Sequence, residues 1–242
     1  MNARSEPADP NHPESRAIGR HIEPQALSIV ALESRKLIHR DDSSRRYADV
    51  FREVRTRLLA LGGGQNFVTM VTAVSPQSGA SFVARNLAAA FAFGEHMSAL
   101  LLDCNLRNPS QAKAFDVPPD QGGLIDYLED PHRTIEDVVR RTGIPRLQLL
   151  PAGRSMELVG EQFSSLRMRT MIDSLRGRYH DRYLILDAPA IKNAPDARIL
   201  SDLADFVVVV AGYGRDTPAA IAEAAGSFDP QKLAGVVFNH NP

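Results

Sequence analysis

The chain has 242 residues, 28 of them lysine or arginine and 29 aspartate or glutamate, for a net charge of −1. That length suits one sizeable domain with an appendage, and balanced, interspersed charge gives no field to gather nucleic acid or an anionic membrane. The lone cysteine, Cys104, excludes an internal disulfide and a cysteine zinc cluster, fits a reducing cytosol, and is read as a small core residue.

Residues 1–24 carry Pro7, Pro10, Pro13 and Pro24 and few large apolar side chains, so a disordered leader is expected there, without the apolar core of a signal peptide. Two helices should follow within residues 25–64. From Gln25 to His39, Leu27, Val30, Leu37 and Ile38 recur at roughly helical spacing, and from Arg45 to Leu59 the apolar positions are Val50, Phe51, Val54 and Leu58. Gly62-Gly63-Gly64 ends the second helix and releases the chain into residues 65–242.

Within that region apolar runs read as strands at 68–74, 99–103, 147–150, 183–187, 206–211 and 235–238, separated by helical stretches. Near-continuous Val, Leu and Ile strands alternating with helices predict an α/β fold, a mostly parallel sheet with helices on both faces. Ligands of such sheets bind beyond the carboxyl ends of the strands. No apolar run approaches the ~20 residues of a membrane span, so the chain is expected in the cytoplasm, reaching a membrane only through a partner and never by direct insertion.

The first strand runs into Val74-Ser75-Pro76-Gln77-Ser78-Gly79-Ala80-Ser81. A phosphate loop reads G-x-x-x-x-G-K-[ST]; Gly79 and the hydroxyl of Ser81 keep its frame, and Ala80 stands where the lysine would. Backbone N–H groups and a helix N-terminus can still hold phosphate, without the ammonium that stabilises a transferring phosphoryl group. An ordinary strand-to-helix turn is the alternative for the loop alone. Two later strands, Leu100-Leu101-Leu102-Asp103 and Leu184-Ile185-Leu186-Asp187, end in aspartate and bring both carboxylates to the same sheet edge, where with Ser81 they can orient Mg²⁺. His96, His132, His180 and His240 show no metal-ligand spacing.

From about Arg45 to Asn239 the chain resembles the bacterial tyrosine kinases of the MinD/ParA-like P-loop group, cytoplasmic partners of polysaccharide chain-length proteins. Their first motif, Pro-Gly-Glu-Gly-Lys-Ser, is Pro76-Gln77-Ser78-Gly79-Ala80-Ser81 here, followed by a matching Asn86-Leu87-Ala88. Their second, Asp-Ala-Asp-Leu-Arg-x-Pro, is Asp103-Cys104-Asn105-Leu106-Arg107-Asn108-Pro109, and their third appears as Asp187-Ala188-Pro189-Ala190 with Asp196-Ala197.

The resemblance implies Asp103 as base and metal-organising carboxylate, Asp187 as the Walker B residue, and Ser81, Asp103 and Asp187 as the metal set. It implies a cofactor site of Ser78, Gly79, Ala80, Ser81, Asn105 and Asn239, the last at the adenine position. Asn105 replaces an acid of the motif, and Ser75 stands where the wider group has a second lysine, so ATP or ADP with Mg²⁺ is expected to bind weakly or not at all. Lys113 and Arg107 are the neighbouring cations considered as substitutes. Asp49-x-x-Arg52-x-x-Arg55 is similar to the family's Glu-x-x-Arg-x-x-Arg oligomerisation motif, which implies contact between copies of the chain. No tyrosine-rich tail follows Tyr213. The reading is a kinase-like, catalytically impaired regulator of exopolysaccharide synthesis or export, acting with a membrane chain-length protein. The alternatives are an active tyrosine autokinase with a relocated cation, or a MinD/ParA-like ATPase.

Overall fold

The computed structural model describes residues 26–39, 45–157, 159–192 and 196–240; the leader expected over residues 1–24 lies outside them. The chain enters through α1 (Ile29–Ser34), whose N-cap Ser28 accepts from the Ala31 N–H at 3.2 Å. The helix expected from Gln25 to His39 is cut short. Lys36, at φ 55°, turns the chain out of it, and the Asn86 side chain then accepts from the Ile38 N–H at 2.8 Å and donates to the Lys36 carbonyl at 3.1 Å. Leu37 and Ile38 are buried, but from this extended segment, while Val30 is exposed.

The second helix, α2 (Arg45–Gly62), buries Phe51 and Leu58 and leaves Val50 exposed. Gly63 and Gly64 follow with φ of 60° and 85°, a left-handed turn that a side chain resists. Then come β1 (Val68–Ala73), α3 (Ala80–Ala92), β2 (Ser98–Asp103), α4 (Gln111–Ala114), α5 (Leu124–Glu129), β3 (Arg140–Arg141) and β4 (Leu147–Leu150). The chain continues through α6 (Gly160–Ser164), α7 (Leu166–Arg178), β5 (Arg182–Asp187), α8 (Asp196–Ser201), β6 (Phe206–Gly212), α9 (Pro218–Ala225) and β7 (Leu233–Asn239).

Among the described residues the strands form one sheet in the order β3-β4-β2-β5-β1-β6-β7, parallel except for the antiparallel pair β3–β4. All six expected strands are present. β3, two arginines long, has no apolar signature to betray it. Alternate side chains serve opposite faces: Val71, Leu101, Ile185 and Val208 pack with α2 and α3. Met70, Leu100, Leu102, Leu186 and Val209 pack with Met168, Met171, Ile172 and Leu175 of α7. This is the expected α/β architecture, a mostly parallel sheet covered on both faces, and none of the described helices is long and apolar enough to cross a membrane.

Just before β1, Phe67 sits among Phe91, Tyr183 and Phe206, with ring centroids 5.9, 4.9 and 5.0 Å away in edge-on geometry. This cluster joins the start of β1 to α3, β5 and β6. It lies at the opposite end of β1 from the loop that opens at the sheet's carboxyl edge.

Candidate functional site

Parallel pairing of β2 with β5 makes Asp103 and Asp187 register partners, and Val71 of β1 pairs with Asp187 on the other side. Three strand ends therefore converge where the loop between β1 and α3 begins. Gln77 (φ 66°) and Gly79 (φ 96°) fold that loop into a left-handed turn, and Gly79 caps α3 with no side chain accepting from the helix's first N–H groups. The positive end of a helix of 13 residues is thus open toward the loop.

The loop is pinned from the neighbouring ends of β6 and β7 at the same edge of the sheet. Ser78, buried, donates its hydroxyl to Asp216 at 2.7 Å, and the Gly212 N–H donates to the same carboxylate oxygen at 2.7 Å. Partial burial pushes the Asp216 carboxyl up, but the Gly212 N–H and the Ser75 and Ser78 hydroxyls hold it below its ordinary pKa. Asn239, at the end of β7, donates its amide to the Ser78 carbonyl at 3.1 Å. Its Nδ2 would lie 2.1 Å from a Cβ placed on Gly79. Gly79→Ala is therefore expected to cost about 1–3 kcal/mol, from left-handed strain and loss of the Asn239 contact, measured by urea unfolding against Gly177→Ala, where a Cβ meets nothing within 4 Å.

Both strand-end carboxylates are fully buried. Asp103 accepts from the backbone N–H groups of Asn105 (3.3 Å), Ser110 (3.0 Å) and Gln111 (2.9 Å). Asp187 accepts from the Ser81 hydroxyl at 3.0 Å and the Gln111 side-chain amide at 2.6 Å. Burial, then the charge of Asp187, pushes Asp103 up to about 8 despite the three backbone donors. Burial pushes Asp187 up to about 6, opposed by Gln111, Ser81 and the Arg85 charge. Arg85, one turn along α3 from Ser81, donates Nε to the Ser81 carbonyl at 3.1 Å. Its own burial pulls it below the usual arginine range, while Asp187 and Asp103 hold it up. Burial pushes the neighbouring Cys104 thiol far up, which makes it an inert core group.

The structure thus brings Ser78, Gly79, Ala80, Ser81, Asp103, Asn105, Asp187 and Asn239 to one edge of the sheet. Asn105 takes part through its backbone N–H. Ala80 is 7% exposed and packs its methyl into the core. Of the substitute cations considered, Arg107 is paired with Asp196 at 2.9 Å, and Lys113 is exposed on α4. The guanidinium found on the loop belongs to Arg215, which donates to the Pro76 carbonyl at 3.2 Å.

Asp49, Arg52 and Arg55 lie apart from this site, on α2. Asp49 and Arg52 pair with each other at 2.7 Å on the exposed surface, whereas Arg55 turns inward and donates to the Ala90 carbonyl of α3 at 2.6 Å.

Gln111, Arg85, Asp216 and Arg215 were not found by sequence reasoning. Arg85 had a signal, since four residues along a helix returns to the face of Ser81. The others are united with the site only by the fold.

No family model matches the chain. The putative tyrosine-protein kinase EpsB of Ralstonia solanacearum is 31% identical over 196 residues, 79% of this chain and 25% of that protein. The tyrosine-protein kinase wzc of Salmonella typhimurium is 30% identical over 194 residues, 79% of this chain and 26% of that protein. The chain spans about a quarter of the length of these curated relatives. The crystal structure of the VpsO kinase domain superposes with a TM-score of 0.70 at 26% identity, covering 83% of this chain and 98% of that domain.

Proposed function

We propose, from the chain's likeness to bacterial tyrosine-protein kinases and from a fold it shares with the MinD cell division protein of Aquifex aeolicus, that it is a kinase-like regulator of exopolysaccharide synthesis or export with impaired phosphoryl transfer. On this reading it works at the inner face of the plasma membrane through a membrane chain-length protein, and forms oligomers with other copies of itself. The observation that carries the impairment is Ala80: the loop, the open helix and both carboxylates are in place, and a buried methyl occupies the lysine position.

The donor set fits Mg²⁺, because Ser81 Oγ and the carboxylates of Asp103 and Asp187 are the hard oxygens that such an ion takes. Bound there with nucleotide, Mg²⁺ would neutralise charge on the β- and γ-phosphates. The chain's own residues supply the rest: N–H groups at the start of α3 hold phosphate oxygens, Asn239 and Asp216 fix the loop, and Asp103, raised to about 8, holds a proton near neutral pH that it would release on meeting the cation before acting as a base.

Calorimetry with ATP and ADP tests the proposal. The wild type is expected to bind weakly, and Ala80→Lys to gain about tenfold to a hundredfold, the worth of a charged hydrogen bond to phosphate. Tight wild-type binding, together with phosphotyrosine that is lost in Asp103→Ala, would overturn it. That outcome belongs to a second reading, an active kinase with a relocated cation, which Arg215 at the Pro76 carbonyl favours.

A further inference from the structure

We infer that the side chain of Gln111 is an internal stand-in for a divalent cation, a latch that must be displaced before a hard cation enters between Ser81 and Asp187. The amide nitrogen donates to the Ser81 carbonyl at 3.0 Å and to Asp187 Oδ2 at 2.6 Å. These are two negative poles of the site, and one amide serves both. The second Asp187 oxygen accepts from the Ser81 hydroxyl, and the Asp103 oxygens are taken by backbone N–H groups. Both carboxylates are thereby satisfied by donors from the protein itself.

The orientation of the amide follows from its surroundings. Reversed, it would set Oε1 against two oxygens at those distances, so Nε2 must face them. Gln111 Oε1 is then a buried acceptor without a hydrogen-bond partner in a side chain that is 0% exposed. A buried orphan acceptor carries a desolvation penalty, and the amide nevertheless sits where its nitrogen is needed. Arg85 adds a fixed positive charge beside the same carboxylates and donates to the same Ser81 carbonyl. Two groups of this chain therefore do from within what a cation does from without.

The consequence is a site whose carboxylates are held together without metal and whose affinity for a hard cation is set by one amide. Mn²⁺ alone is the probe, followed through the electron paramagnetic resonance of the free ion and by calorimetry. No nucleotide is added, so the result is independent of whether the chain binds ATP. Gln111→Ala, which removes the amide, and Gln111→Asn, which draws it back by one methylene, are expected to bind Mn²⁺ about tenfold or more tighter than the wild type, the scale on which groups around metal ligands act. Asp187→Asn in the Gln111→Ala background is expected to abolish the gain. Should Gln111→Ala fail to fold, Gln111→Asn decides, since it keeps a polar group in the space. Equal affinity in wild type and variants, or no Mn²⁺ binding by any of them, would overturn the inference.

Discussion

Asp103→Asn is expected to stabilise the protein at pH 8 by on the order of a few kcal/mol while changing little at pH 4. Burial, and the neighbouring Asp187 charge, raise Asp103 to about 8, and burial raises Asp187 to about 6, against about 4 for an aspartate in an unfolded chain. Between those values the native state keeps a proton that the unfolded chain releases. Stability is therefore full below pH ~4 and falls as pH rises toward about 8. The asparagine variant has no charge to desolvate at that position and spares Asp187 its repulsion, so its stability should run flatter with pH. Arg85 is the positive group facing the pair, and Arg85→Met should steepen the wild-type slope. Urea unfolding from pH 4 to pH 9 measures both; a wild-type stability that rises over that range would show that the carboxylates ionise without penalty.

Phe67→Ala should cost about 3–5 kcal/mol, the range for deleting a buried aromatic ring, and lower the melting temperature by roughly 10 °C for a domain of this size. Phe67 is 2% exposed and is the ring around which Phe91, Tyr183 and Phe206 are arranged. Its removal opens a cavity where β1, α3, β5 and β6 meet and touches none of the groups at the carboxyl edge. Below its lowered melting point the variant should bind Mn²⁺ and nucleotide as the wild type does. Calorimetric melting with a parallel titration checks both halves, and a loss of binding in the folded variant would mean that the cluster and the site are coupled through β1.

What the sequence revealed about this molecule was what is local or periodic. β2 and β5 could be read because an apolar run closes on an acid, and parallel pairing then sets Asp103 beside Asp187. The helix expected from Gln25 to His39 was overstated because Leu37 and Ile38 are apolar for the sake of burial while Asn86 takes the Ile38 N–H and the Lys36 carbonyl. Periodicity does not distinguish that from a helix. Gln111 meets Asp187 across 76 residues and Ser78 meets Asp216 across 138; an amide and a carboxylate in loop-like surroundings carry no mark of such partners. Arg215 was missed for the same reason, although the vacancy at Ala80 made a substitute cation worth seeking.

Pinning the loop between β1 and α3 has a thermodynamic consequence of its own. Ser78 is tied to Asp216 and Asn239 before any ligand arrives, so the conformational entropy of ordering the loop is lost when the chain folds rather than when it binds. A phosphate group would meet a finished cradle, and the preorganisation would recover part of the affinity that the missing ammonium takes away. Because that part resides in fixed dipoles and shape instead of a mobile charge, it would also be the part least weakened by salt.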